Sequence, residues 1–156
     1  MSSAISPHAS VLFVVTQPSD VEALIALRID AMRERLERIG RFDPVRARER
    51  FFSAFSPEHT RHIEAGGERV GFIVVRPQAD CLLLDHLYVH PRAQGKGIGA
   101  AVLAHVFAQA DSCSLPVRVG ALRDSDSNHF YIRNGFQLVE QGEFDNYYIR
   151  SCHNAL

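Results

Sequence analysis

Residues 82–110, LLLDHLYVHPRAQGKGIGAAVLAHVFAQA, constrain the fold more than any other part of the chain. A strand pattern, a glycine-rich turn and a helical pattern follow one another there with no linker between them. Leu82-Leu83-Leu84 and Leu87-Tyr88-Val89 form an apolar and aromatic run broken only by Asp85 and His86. Such a run suits a strand covered on both faces. Pro91 marks its exit, because proline has no N–H to give to a sheet. In Gln94-Gly95-Lys96-Gly97-Ile98-Gly99-Ala100 three alternating glycines keep side chains out of a ligand's way. The helix that begins there points its free N–H groups and positive dipole end at the same place, so an anion is the natural guest. Ile98, Val102 and Val106 share a face of this helix, with Leu103, Phe107 and Ala110 beside it. Residues 116–122, PVRVGAL, read as the next strand, and a strand, helix and strand in this order predict a right-handed parallel crossover.

The flanking segments extend the pattern. Residues 11–15, VLFVV, are β-branched and aromatic and read as a first strand. Ser19-Asp20-Val21-Glu22 has the form of a capping box, and Val21, Leu24, Ile25, Met32, Leu36 and Ile39 recur at helical spacing until Gly40. Asp43-Pro44 restarts a helix as N-cap and first helical residue, and Val45, Ala47, Phe51, Phe52 and Phe55 carry it toward Pro57. Residues 59–65 alternate polar and apolar, Gly66-Gly67 turns the chain, and residues 70–75 run back, predicting an antiparallel hairpin that leads into the strand at 82–89. Residues 125–134 read as a short helix closed by Gly135, and strands at 136–141 and 144–150 meet at Gly142-Glu143. The element order is β-α-α-β-β-β-α-β-α-β-β. With 156 residues and no linker or repeat, one domain over 1–156 is expected.

Bulk chemistry excludes more than it selects. A net charge of −1 gives no general pull toward nucleic acid or an anionic membrane. Apolar runs are too short for a membrane span, and Met1-Ser2-Ser3-Ala4 lacks the basic head and apolar core of a signal peptide, so a cytoplasmic protein is expected. Cys81, Cys113 and Cys152 are widely spaced and odd in number, which indicates neither a disulfide framework nor a zinc site. The helical hairpin carries Arg28, Arg33, Arg35, Arg38, Arg41, Arg46, Arg48 and Arg50, but Glu34, Glu37 and Glu49 are interleaved, so a solvated, salt-bridged face is expected in preference to a binding patch.

Two kinds of anion turn fit the central stretch. Gly95, Gly97 and Ala100 satisfy the dinucleotide fingerprint G-x-G-x-x-G/A, with Asp124 downstream, although residues 90–94 separate the strand from the first glycine. The spacing Gln94, Gly97, Gly99, as Gln-x-x-Gly-x-Gly after Leu87-Tyr88-Val89-His90-Pro91, fits better and resembles the acetyl-CoA motif of the GNAT family of N-acetyltransferases. Phe130-Tyr131-Ile132-Arg133-Asn134-Gly135-Phe136 is similar to that family's F-Y-x-x-x-G-F block. The resemblance implies an α/β (α+β) GNAT fold, with a mixed, mostly antiparallel sheet of about seven strands flanked by four helices. It implies transfer of an acetyl group from acetyl-CoA to an amine, with no metal.

The same resemblance assigns roles. Backbone N–H groups of Gly95, Lys96, Gly97, Ile98, Gly99 and Ala100, following Gln94, would clamp the pyrophosphate. Lys96, the only lysine, would add a charge there or serve as a solvated turn residue. Main-chain groups of Leu87, Tyr88 and Val89 would pair with pantetheine and donate to the thioester carbonyl. Tyr131 sits where many relatives carry the acid for the leaving thiolate; its alternative is a buried structural tyrosine. Asn128 is a candidate pantetheine contact, although many relatives place an asparagine seven residues before the tyrosine, where this chain has Asp124. Asp85 interrupts an apolar strand, and strict alternation puts it on the face of Leu87 and Val89, with His86 on the other face. It is the candidate base, or a structural aspartate bonded to backbone N–H groups or to a neighbouring arginine. The acceptor would be a primary amine of a small molecule or peptide, met by the hairpin and the last strand loop, where Glu34, Glu37, Asp43 and Asp145 are acidic. A homodimer is compatible with all of this. A nucleotide-binding domain and a catalytically silent acyl-CoA module are the competing readings.

Overall fold

β-Branched runs and helical periods assemble in the predicted order. The computed structural model describes residues 10–38, 40 and 43–153, except the side chains of residues 34–36. The expectations placed on Met1, Ser2, Ser3, Ala4, Ile39 and Arg41, and on the side chains of Glu34, Arg35 and Leu36, lie outside the described residues. The described elements are β1 (Leu12–Val15), α1 (Val21–Arg38), α2 (Pro44–Ala54), β2 (Thr60–Ala65), β3 (Glu68–Pro77), β4 (Leu82–Val89), α3 (Ile98–Ser112), β5 (Val117–Leu122), α4 (Ser127–Arg133), β6 (Gln137–Gln141) and β7 (Asp145–Arg150).

The strands form one seven-stranded sheet in the order β1-β2-β3-β4-β5-β7-β6. Among its described pairings only β4 with β5 is parallel; the others are antiparallel. This is the mixed α/β sheet the GNAT resemblance implied, and it differs from the largely parallel sheet of a dinucleotide fold. No helix among the described residues is long and apolar enough to cross a membrane.

Two apolar layers cover the sheet. On one face α3 buries Ile98, Val102, Leu103, Val106 and Ala110 against Leu82, Leu84, Val117 and Val119, and Tyr131 of α4 joins the same cluster. Each fully buried aliphatic side chain there contributes about 1.5–3 kcal/mol. On the other face Leu24 and Ile25 of α1 and Phe51 of α2 pack on Phe72 and Val74. The α2 cap is as predicted, with the Asp43 carboxylate accepting from the Arg46 N–H at 3.1 Å and Pro44 opening the helix. The α1 entry differs. A turn of 3-10 helix at Pro18–Asp20 precedes it, and the Asp20 carboxylate reaches back to the Gln17 N–H at 2.8 Å, so the capping residue is Gln17 and not Ser19.

Candidate functional site

The turn between β4 and α3 is preorganised by two left-handed glycines. Gly95 has φ 78° and Gly97, the N-cap of α3, has φ 79°, a region that residues with a Cβ enter at a cost. Ala101 is the first residue to bond within the helix, its N–H reaching the Gly97 carbonyl at 3.0 Å. The N–H groups of Ile98, Gly99 and Ala100 therefore point outward from the helix start, as the first turn of any α-helix requires. Lys96 is exposed beside them. Gln94 turns the other way: its side-chain amide Nε2 donates to the Val89 carbonyl at 2.8 Å and ties the turn to the end of β4. A stable anion cradle thus sits at the end of the strand.

Beyond Leu84 that strand has a free edge. β4 pairs with β5 only through Leu82, Leu83 and Leu84, opposite Val117, Arg118 and Val119. From Asp85 to Val89 the main chain facing β5 has no strand partner; apart from the Val89 carbonyl, which Gln94 holds, its outward N–H and C=O groups are open to an extended ligand lying in the gap. Leu87, Tyr88 and Val89 are on that edge, where the sequence placed the main-chain contacts. On its other side β4 is pinned to β3, where Gly71 faces Val89.

The strand also carries a bulge. Val74 of β3 faces His86 and Val75 faces Leu84, leaving Asp85 without an opposite residue. One extra residue breaks the alternation. Leu87 and Val89 pack with the α3 cluster, whereas His86 lies 5.4 Å from the Phe51 ring and 6.4 Å from the Phe72 ring on the hairpin side. Asp85 accompanies His86: its Oδ2 accepts from Arg76 Nε at 2.8 Å and lies 3.8 Å from His86 Nε2. Arg76 in turn donates to the Ala54 carbonyl at the end of α2. The expectation that Asp85 shares the face of Leu87 and Val89, with His86 opposite, is therefore corrected. Alternation assumes an unbroken ladder, and a bulge is a property of pairing.

Burial first, then the Arg28 charge, pushes the His86 imidazole down to about 4, with Asp85 working in the opposite direction. His86 is thus neutral near pH 7. Since its folded value lies below the ordinary 6.5, the unfolded chain takes up the proton first as pH falls. The stability from neutral His86 is complete above pH 6.5 and is lost as pH drops from there toward 4, by about 2–3 kcal/mol. Urea midpoints measured between pH 7 and pH 4.5 should fall more steeply for the wild type than for His86→Phe, which keeps the ring contacts. Equal slopes would remove His86 from the account.

On the far side of the gap, α4 holds Tyr131 and Asn128. The Tyr131 ring is 6% exposed and packs against Phe136 at 5.3 Å, Phe130 at 5.4 Å and Tyr148 at 6.3 Å between centroids. Asn128 is a hub of the fold. Its Nδ2 donates to the carbonyls of Leu122 at 2.7 Å, Arg123 at 3.2 Å and Ser125 at 2.8 Å. Its Oδ1 accepts from Asn146 Nδ2 at 2.9 Å and from the Tyr148 hydroxyl at 2.6 Å. Both lone pairs and both protons are engaged, so the pantetheine contact expected of Asn128 is replaced by a role in fixing α4 to β5 and β7. Asp124 lies before α4 in the loop, exposed.

Among the described acidic residues expected to meet the acceptor, Glu37, Asp43 and Asp145 share no ion pair or hydrogen bond with the Asp85 cluster; Asp43 serves as a helix cap. What the sequence missed is Arg28. It was grouped with a solvated face, yet it stands one turn after Leu24 and Ile25, which are buried against the sheet. It is close enough to Asp85 and His86 to act on both electrostatically. The spacing was the available signal. Arg48 with Glu22 is one surface pair of the hairpin among the described residues. No group of three or more His, Cys, Asp or Glu among the described residues is arranged to hold a metal.

The acetyltransferase (GNAT) domain model matches residues 56–138, more than half of the chain. The protein belongs to the GNAT acetyltransferase family. Its fold is similar to that of the PaiA N-acetyltransferase of Thermoplasma acidophilum, solved with coenzyme A, at 18% identity, TM-score 0.72, over 91% of this chain and 99% of that one. It is similar to an acetyltransferase of Thermus thermophilus at 18% identity and TM-score 0.69, over 91% and 97% of the two chains. The N-acetylglutamate synthase of Neisseria gonorrhoeae, solved with coenzyme A and N-acetyl-glutamate, shares 20% identity at TM-score 0.64 over 96% of this chain and 37% of that one. A search of curated proteins gave no match.

Proposed function

We propose that this protein transfers the acetyl group of acetyl-CoA to a primary amine by direct attack within a ternary complex. The observation that carries this reading is the free edge of β4 from Asp85 to Val89 running into the glycine cradle at α3. One feature suits an extended amide chain and the other its pyrophosphate. The coenzyme A found with the Thermoplasma and Neisseria proteins agrees with it.

In this reading the N–H groups from Gly95 to Ala100 hold the diphosphate, and Lys96 adds charge at its rim. Main-chain groups of Leu87, Tyr88 and Val89 align the pantetheine, and an N–H of this edge polarises the thioester carbonyl. Asp85 accepts a proton from the acceptor ammonium, directly or through water. The freed amine nitrogen forms the new bond to the acetyl carbon as the carbon–sulfur bond breaks. Tyr131 protonates the departing sulfur. Of the two protons the ammonium sheds, one leaves by way of Asp85 and the other restores Tyr131, so the products are the amide and a free thiol.

Thiol release with an amine panel tests the activity, and calorimetry with acetyl-CoA and with NAD tests the cosubstrate. Tyr131→Phe is expected to lower kcat by about 10²–10³-fold with little change in acetyl-CoA affinity, since it removes an interaction made in the transition state. Asp85→Asn should lose activity chiefly on the acidic side of the pH profile, where free amine is scarce, and recover toward the acceptor's own pKa. Wild-type kcat in a folded Tyr131→Phe enzyme would return thiolate protonation to solvent. A uniform loss at every pH in Asp85→Asn would make that carboxylate a positioning group for Arg76.

A further inference from the structure

The hairpin face of β4 has an imbalance of charge. Arg28 from α1 and Arg76 from β3 act on Asp85 and His86, Arg50 from α2 stands near enough to Arg28 to repel it, and His86 is neutral there at pH 7. Asp85 supplies the one described carboxylate of this group, and Arg76 takes it through the 2.8 Å bond. Arg76 also has the Ala54 carbonyl at 2.7 Å. Arg28 has no acceptor within hydrogen-bonding distance of its guanidinium among the described residues, although burial is the main influence on that group. It does not extend to solvent like its neighbours on α1: Leu24 and Ile25, one turn earlier, fix its side of the helix against Phe72 and Val74. The like charge of Arg50 adds to the cost of holding it there.

A partly buried guanidinium without an acceptor costs about 1–3 kcal/mol or more in unmade hydrogen bonds. A fork of five donors is matched best by a carboxylate, which binds it through two parallel bonds. Arg28 and Asp85 differ in sign and belong to one cluster, so they suit a ligand that carries opposite charges a few bonds apart. Resting on the acetyltransferase reading above, we infer that the acceptor is an amino acid or a close analogue, whose carboxylate pairs with Arg28 while its ammonium is presented to Asp85. Arg28 is then a specificity residue for the acceptor. Among the described hairpin glutamates, Glu37 and Glu49, which would favour a polyamine or other polycation, form no ion pair or hydrogen bond with this cluster.

The experiment measures thiol release from acetyl-CoA with L-amino acids and short ω-amino acids, with the α-carboxamides of the same amino acids, and with spermidine. The wild type should turn over at least one carboxylate-bearing amine with kcat/KM at least 100-fold above that of its carboxamide, even though the carboxamide has the more easily deprotonated amine. Arg28→Gln should lose about 10²–10³-fold in kcat/KM on the carboxylate, mostly through KM, and change little on the carboxamide or in acetyl-CoA KM. Failure of acetyl-CoA to bind in calorimetry would sink the acetyltransferase reading itself. Binding of acetyl-CoA with acetylation confined to spermidine or carboxamides, no acetylated carboxylate in the panel, or equal losses on both acceptors in Arg28→Gln would overturn this inference alone. The wild-type comparison needs no variant, so it stands even if Arg28→Gln misfolds.

Discussion

Acetyl-CoA is expected to raise the melting temperature of the wild-type protein and to leave that of Gly97→Glu where it was. At a ligand concentration 100 times Kd the wild type gains about 2.7 kcal/mol, or about 5–10 °C for a chain of this size. Glutamate at position 97 acts against binding twice. Its carboxylate stands at the mouth of a cradle whose outward N–H groups favour an anionic guest, and its bulk occupies the space that the glycine leaves open. A φ of 79° adds backbone strain of about 1 kcal/mol, which lowers the unliganded melting temperature. Gly97→Ala carries the strain without the charge and separates the two effects. It should retain most of the ligand-induced shift, whereas Gly97→Glu should lose affinity by at least about 100-fold, equivalent to the 2.7 kcal/mol. Undiminished binding by Gly97→Glu would place the pyrophosphate elsewhere.

The largest effect on stability is expected at a glycine that touches no ligand. A Cβ on Gly71 would lie 1.9 Å from the Tyr88 carbonyl oxygen, 2.9 Å from its carbon and 3.1 Å from the Val89 Cα. All three are backbone atoms of the neighbouring strand, so no rotamer change can make room. Gly71→Ala must part β3 from β4 at the end of β4 that borders the cradle, at a cost of about 3 kcal/mol or more. The melting temperature should drop by about 6–12 °C. Gly66→Ala is the comparison: its φ is 60° but its Cβ would meet nothing within 4 Å, so about 1 kcal/mol of backbone strain is all it incurs. Similar losses in the two variants would mean that the sheet yields easily at Gly71. Where Gly71→Ala still folds, acetyl-CoA affinity should fall as well, because the displaced residues include the Tyr88 and Val89 main chain.

The elements were legible in the sequence because each carries its own period. Alternation, apolar runs and caps are local properties, and they returned the order of all the described strands and helices with boundaries within a residue or two. The cradle was legible for the same reason, since glycines at alternating positions before a helical pattern speak for themselves. Asp85 was found as a residue but assigned to the wrong face, because the bulge beside it exists only in the pairing of two strands. Asn128 presented itself as a ligand because its real partners, Asn146 and Tyr148, stand 18 and 20 residues away. Arg28 was hidden by its company. Composition averages a charged helix over all its faces, and only the three- and four-residue intervals back to Ile25 and Leu24 separate this arginine from the others.

The short β4–β5 seam has a mechanical meaning as well as a chemical one. Three residues on each strand join the leaf made of β1 to β4 to the leaf made of β5, β7 and β6, and α3 is the strap between them. Load crossing the sheet must pass through that narrow waist. An occupant that bonds to the free edge of β4 and rests against the second leaf acts as a rivet beyond the waist, so the grip that aligns a thioester also stiffens the frame that aligns it.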